Sequence, residues 1–255
     1  MPKHLTKARP AAARSAHRRL TLLGGIVVGT DAGRATAAVR LAGALARRQG
    51  TSATAVPAAD VLEEAHRVGA SMIVVGIGTH RAIDRMLRHE PVLAVARGTS
   101  IPVLAAAPRA SRVPRHALIA TDFTDSSLRS ARLVASLVDA RGVITIVHVQ
   151  PLANLVRRDG VSWSDIYATG ARERLSRMRE ELEASTRCRV DTELVAGDTA
   201  DALLDIARRK RCDLIAVGAH VHTALDRMLI GSTTTRLLRG APCSVLVVPE
   251  RREEV

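Results

Sequence analysis

The residues of this chain best suited to chemistry gather in one stretch. It leaves the apolar run Leu214–Val217 through Gly218, crosses a long loop that includes His220, Val221 and His222, and ends on Gly231-Ser232-Thr233-Thr234-Thr235. If Ser232 opens a helix, the first backbone N–H groups have no intrahelical partners. With the Ser232 and Thr233 hydroxyls they form a set of donors suited to an anion such as phosphate. Gly218 would let backbone approach a ligand closely. The plainer reading of the same cluster is an ordinary helix cap after a long loop. His220 and His222 lack a cysteine or carboxylate partner and make a poor metal site, so no metal ligands are assigned. Asp226-Arg227 reads as a structural pair in the loop, with Arg227 near a phosphate as the second reading.

Such residues act together only if a fold assembles them, and the sequence repeats in a way that suggests which one. Val75–Pro108 aligns without a gap on Val217–Glu250. Gly76 meets Gly218, His80 meets His222, Asp84-Arg85-Met86-Leu87 meets Asp226-Arg227-Met228-Leu229, and Arg97-Gly98 meets Arg239-Gly240. Upstream, an apolar run ending in Thr30-Asp31 parallels one ending in Thr121-Asp122, each followed by an Ala-rich helical stretch. Two copies of one unit are expected. The interval from Asp31 to Gly76 is less than half that from Asp122 to Gly218, so the first copy is shortened in its middle.

The second copy alternates strands with helices. Strands are expected near 117–121, 143–149, 190–195, 214–217 and 244–248. Helices are expected near 127–139 and 172–185, from Asp198 as N-cap to about 209, and from about 232. Trp163 and Tyr167 are expected in a loop that covers the core or a partner. Alternation of this kind implies right-handed crossovers and a parallel sheet. The fold class is α/β: a Rossmann-like open parallel sheet of five strands flanked by helices, in two tandem copies, the first truncated. Residues 1–20 form a basic tail, 21–108 the degenerate copy, 109–115 a polar, basic linker and 116–250 the complete copy. In such sheets ligands bind beyond the carboxyl ends of the strands. That brings Ala120-Thr121-Asp122, His148-Val149 and the Gly218–Thr233 stretch to one place. Asp122 is suited to accept hydrogen bonds from ribose hydroxyls, or else caps the helix after it. Backbone near Val149 is suited to a flat base edge.

Composition sets the bounds. Hydrophobic residues are 47% of the 255 and aromatics 1%, so the core must be Ala, Val, Leu and Ile. The net charge is +13, and Lys3, Lys7, Arg9, Arg14, Arg18 and Arg19 all precede the first acid, Asp31. Residues 1–20 read first as a solvated, disordered tail and second as a nucleic acid contact. The scarcity of aromatic rings argues against stacking on single strands. The tail also has the Arg-rich, acid-free composition of a transit peptide, without the apolar stretch of a secretory signal. Cys188, Cys212 and Cys243 show no C-x-x-C spacing, which points to a reducing compartment, the cytoplasm. No apolar run reaches membrane-spanning length. Enzyme signatures are missing: there is no G-K-[ST] cradle, Arg81 stands where a dinucleotide fingerprint needs its third glycine, and there is no G-x-S-x-G elbow. No general base is placed to attack a phosphate, so the chain reads as a non-enzyme with hydrolysis slow or absent.

With its flanking motifs the chain resembles a tandem universal stress protein. The ATP-binding branch of that family carries G-x2-G-x9-G-[ST] after its fourth strand. Here Gly218, Val221, Gly231 and Ser232 fill those positions, with valine in place of the second glycine. The family's early P-T-D-F-S appears as Ala120-Thr121-Asp122-Phe123-Thr124. Its H-V after the second strand is His148-Val149, and its closing A-P-C-P-V-L-V-V-P is Ala241-Pro242-Cys243-Ser244-Val245-Leu246-Val247-Val248-Pro249. The resemblance is strong over 116–250 and weak over 24–108. It implies an adenine nucleotide (ATP, ADP or AMP) at Ala120, Asp122, Val149, Gly218, Val221, Gly231, Ser232 and Thr233, with Mg as a compatible companion. It further implies a role in stress response or signalling through a ligand-set conformation, the two copies paired edge strand to edge strand, and homodimers as a further assembly. A nucleotide-free scaffold for protein partners, or a nucleic-acid-associated protein acting through residues 1–20, are the alternatives. In the first copy His89, Glu90 and Pro91 replace Gly231, Ser232 and Thr233. They add bulk, a negative charge and a missing N–H donor, so one nucleotide per chain is expected.

Overall fold

The computed structural model describes residues 24–30, 36–77, 90–150, 163–219 and 230–250. Among them, nine strands form one sheet: β1 Ile26–Thr30, β2 Ala53–Pro57, β3 Met72–Gly76, β4 Val103–Ala106, β5 His116–Ala120, β6 Val143–Gln150, β7 Arg189–Ala196, β8 Leu214–Ala219 and β9 Ser244–Pro249. Seven α-helices accompany them: α1 Ala37–Gln49, α2 Val61–Arg67, α3 Glu90–Arg97, α4 Asp125–Leu137, α5 Trp163–Ser185, α6 Thr199–Arg209 and α7 Ser232–Gly240. The strand order is β2-β1-β3-β4-β9-β8-β5-β6-β7. Every neighbouring pair is parallel except β4 and β9, which run antiparallel with Leu104 opposite Leu246. Two parallel blocks therefore meet edge to edge. Because the seam is antiparallel, their carboxyl ends lie on opposite rims of the sheet.

The continuous apolar strands sort by parity, as strands buried on both faces must. Ile26, Val28, Ile144 and Ile146 face a core layer built with α1, α4 and α5. Val27, Val147 and Val149 face a second layer built with α2, α3, α6 and α7. Side chains also lock the seam. Arg48 donates from Nε to the Ser136 carbonyl at 3.1 Å and from Nη2 to the Val138 carbonyl, and Gln49 Nε2 reaches the Ser136 carbonyl at 2.5 Å. These groups satisfy carbonyls at the C-terminal end of α4, where a cation also suits the helix dipole.

One expected element changes. Trp163 and Tyr167 lie in a helix, not a loop, because α5 starts at Trp163 and runs to Ser185. Charge density signals only its second half. The stripe that holds its described part to the sheet is apolar and sparse: Ala171, Leu175, Met178 and Leu182 are all buried. Their i, i+4, i+7 and i+11 spacing is helical. Asp198 caps α6 as expected, accepting the Asp201 N–H at 3.0 Å. Among the described residues no helix is long and apolar enough to cross a membrane, and the three cysteines are free and buried.

Candidate functional site

β5 and β8 are neighbours, and the chain leaves them on opposite faces. α4 follows β5 into one core layer, while α7 follows β8 into the other. Such a divergence is a topological switch point, and in open α/β sheets ligands bind beyond the carboxyl rim at that point. A crossover helix returns antiparallel to its strands, so the first turn of α7 lies at the same rim.

The loop after β5 is a hydrogen-bonded knot. Thr121 donates its N–H to the Val147 carbonyl at 2.9 Å. Its hydroxyl accepts the Phe123 N–H at 3.0 Å and shares a 3.0 Å hydrogen bond with Ser127 Oγ. Ser127 Oγ in turn donates to the Thr124 carbonyl at 2.9 Å. The knot forces Phe123 to φ 67°, a left-handed conformation that side chains other than glycine rarely adopt. Asp122 stands exposed on the rim. Its Oδ1 accepts from the Thr124 N–H at 3.1 Å and from the Thr124 hydroxyl at 2.5 Å. Thr124, not Asp122, occupies the N-cap position of α4.

Gly218 is explained by packing. A Cβ there would lie 2.6 Å from Ser126 Oγ and 2.8 Å from both the Ser126 carbonyl carbon and the Ser127 nitrogen. The first turn of α4 sits directly on this glycine, and Ser126 and Ser127 are buried there. Gly231 is the opposite case. It is exposed, has φ −57° and ψ 157°, and a Cβ would meet nothing within 4 Å among the described residues. Neither the backbone conformation nor any described neighbour requires glycine. Ser232 is exposed, Thr233 half-buried and Thr234 buried. α7 has no side-chain N-cap hydrogen bond and no acid in its first turn. Arg236 ties α7 to α6, reaching both Asp198 oxygens at 2.8 Å and Asp201 Oδ1 at 2.6 Å. The Asp201 N–H and this guanidinium hold the Asp198 carboxyl below its ordinary pKa.

At the end of β6 the pleat separates two neighbours. Val149 turns its side chain into the layer shared with α6 and α7, which leaves its backbone at the rim, and Ala120 packs half-buried against the same layer. His148 faces the α5 side and is 5% exposed. Its Nδ1 lies 2.7 Å from the Thr121 carbonyl and its Nε2 2.8 Å from the Tyr167 hydroxyl. A carbonyl only accepts, so Nδ1 carries the proton. In the neutral ring Nε2 then accepts from Tyr167. The Phe123 ring lies 4.5 Å from the imidazole, and the Arg174 guanidinium lies 5.5 Å from the Phe123 ring centre. Sequence reasoning brought Thr121 and His148 to this rim but missed their grouping with Phe123, Tyr167 and Arg174. The available signal was the run Thr121-x-Phe123 with Ser126-Ser127, a hydroxyl-rich turn. Tyr167→Phe is expected to lower stability by about 0.5–1.5 kcal/mol, since it leaves a buried imidazole nitrogen without a donor. Urea unfolding measures this, and an unchanged midpoint would show that the bond contributes nothing.

Five of the expected site residues, Ala120, Val149, Gly218, Ser232 and Thr233, therefore belong to strands or a helix that end or begin at one rim; Asp122 lies in the loop after β5, and Gly231 precedes the helix. Val221 lies outside the described residues, as do His220, His222, Asp226, Arg227, His89 and residues 1–20; α3 begins at Glu90, where Pro91 follows. Among the described residues no group of three or more His, Cys, Asp or Glu could hold a metal ion.

Comparison with known proteins agrees with this geometry at the level of family and fold. Residues 114–249 match the model of the universal stress protein family. A universal stress protein of Methanocaldococcus jannaschii is 31% identical over 144 residues, 54% of this chain and 83% of that protein. One from Thermus aquaticus is 29% identical over 134 residues, 51% of this chain and 96% of that protein. The crystal structure of a universal stress protein from Archaeoglobus fulgidus shares the fold with a TM-score of 0.55 at 19% identity, over 80% of this chain and 73% of that one.

Proposed function

The chain belongs to the universal stress protein family, and on that premise we propose that residues 116–250 bind one adenine nucleotide at the rim formed by β5, β6 and β8. In this reading the phosphates lie on the open N-terminus of α7, against Gly231, Ser232 and Thr233. The base lies along the Val149 backbone, and Asp122 and Ala120 line the ribose side. Gly231 carries the proposal. Its conformation is open to any residue and, among the described residues, no neighbour restricts it, so beyond the mild preference of an N-cap the described fold gives no reason for glycine there. A phosphate approaching the backbone supplies one. The absence of an acid or a side-chain cap on the first turn of α7 supports the same reading. Residues 21–108 act as a degenerate partner unit joined at the β4–β9 seam. The protein then works in stress adaptation or signalling by a conformation that the nucleotide sets, without turnover.

A nucleotide-free scaffold is the second reading. Two observations favour it: packing against α4 accounts for Gly218, and Thr124 engages Asp122. Mass spectrometry of ligand released from the purified chain, with calorimetric titration of ATP, ADP and AMP, separates the two. The expected result is one adenine nucleotide per chain. No retained nucleotide and no heat of binding would leave the scaffold; two per chain would move a site into residues 21–108.

A further inference from the structure

Among the described residues, β2 is an edge strand that lacks cover. In the other block its positional counterpart is β6, the strand paired to the outer side of the first strand. β6 is buried from Ile144 to Gln150, flanked by β7 and covered by α5. Among the described residues β2 has neither an outer neighbour nor such a helix. Ala53, Thr54, Ala55 and Pro57 are exposed, and only Val56 is partly covered.

Exposed edges normally carry charge that prevents pairing with another chain. The opposite edge of this sheet follows that rule, since β7 includes Arg189, Asp191 and Glu193. Residues 51–59 contain no charged side chain, in a sequence where 25% of residues are charged. The charges lie at the two ends instead: exposed Arg47 before the strand, exposed Asp60 and Glu63 after it. An antiparallel copy of the same strand would set the basic end of one against the acidic end of the other.

The backbone has the same polarity. The Ser52 carbonyl accepts the Ile26 N–H at 2.9 Å and the Val56 carbonyl accepts the Thr30 hydroxyl at 3.1 Å. Alternation then turns the main-chain groups of Ala53, Ala55 and Pro57 away from β1. Pro57 has no N–H to offer. A two-fold axis at Ala55 would pair Ala55 with Ala55 through mutual N–H···O bonds. Each Ala53 N–H would meet a Pro57 carbonyl, which makes about four main-chain hydrogen bonds that leave no donor over.

We propose that β2 is a self-association edge, and that two copies of this chain pair β2 to β2, antiparallel about Ala55, into a closed dimer with one continuous sheet. Self-pairing about a two-fold axis closes, whereas pairing β2 with the β7 edge of another copy would build an open filament. β9, the remaining candidate, is occupied by β4 within the chain.

Sedimentation velocity on the full chain decides it. The wild type is expected at twice the 27.2 kDa chain mass at micromolar concentration. Ala55→Lys places like charges directly opposite each other across the axis and Ala55→Glu does the same, so each alone is expected to be monomeric with an unchanged circular dichroism melt. Mixing the two variants is expected to restore the dimer, because Lys then faces Glu. Ala55→Pro, which removes an outward donor and no β1 bond, is expected to be monomeric as well. A monomeric wild type, a dimer that survives in the folded single variants, or a mixture that stays monomeric would each overturn the proposal.

Discussion

Gly231→Glu is expected to abolish nucleotide binding while the unliganded chain keeps its stability. The new side chain meets no described neighbour, since a Cβ at this position has nothing within 4 Å among the described residues, and the backbone at φ −57° accepts any residue. Its carboxylate lies beside the first-turn N–H groups of α7, which have no intrahelical partner, where a negative charge is favourable by about 0.3–1 kcal/mol. It thus takes the place of the phosphate and repels one that approaches. Two unit charges about 4 Å apart near a protein surface interact by about 4 kcal/mol, roughly a thousandfold in affinity. Gly231→Ala is the milder control: unliganded stability within about 1 kcal/mol of the wild type, since the N-cap preference for glycine opposes the unfolded-state gain, with weaker binding. ATP titration calorimetry and urea unfolding, run on the same samples, check both halves of the expectation. Binding within tenfold of the wild type in Gly231→Glu would remove the phosphates from α7.

Gly218→Ala is expected to do the reverse and damage the fold first. The added methyl would stand 2.8 Å from two backbone atoms of α4, at Ser126 and Ser127, and backbone cannot rotate away as a side chain tip can. The start of α4 must shift. With it moves the knot of Thr121, Thr124 and Ser127 that holds Phe123 in its left-handed conformation. Overpacking of this kind costs about 1–3 kcal/mol. The urea midpoint should fall, with nucleotide affinity falling as a consequence. An unchanged midpoint with a selective loss of affinity would mean that Gly218 serves a ligand and that α4 accommodates the methyl. The two glycines share one motif, yet the structure gives them different physical reasons.

Much of this protein was legible in its sequence because the governing interactions are local or periodic. Apolar runs rich in Val, Ile and Ala, bounded by turns and separated by helical periods, specify buried parallel strands and crossovers wherever they fold. The Gly218-x12-Gly231-Ser232 spacing with Thr121-Asp122 and His148-Val149 marked the rim for the same reason, since each motif sits where a strand ends. Asp198 as an N-cap needs only its own first turn. The aromatic start of α5 was not legible. Trp163 and Tyr167 fall before its charge pattern begins, and the stripe that anchors the helix, Ala171 to Leu182, is too sparse to mark its start.

Other features depended on tertiary structure because they are contacts between segments far apart in the chain. The antiparallel β4–β9 seam puts the carboxyl ends of the two blocks on opposite rims, and neither strand's residues encode that alone. The clash that makes Gly218 obligatory comes from α4, some ninety residues earlier in the chain. The burial of His148 between the Thr121 carbonyl and the Tyr167 hydroxyl joins three elements that only the packed sheet brings together. The exposure of β2 follows from what fails to cover it. A strand's own residues set which way its side chains alternate, but only the neighbours supplied by the fold determine which of them leave water.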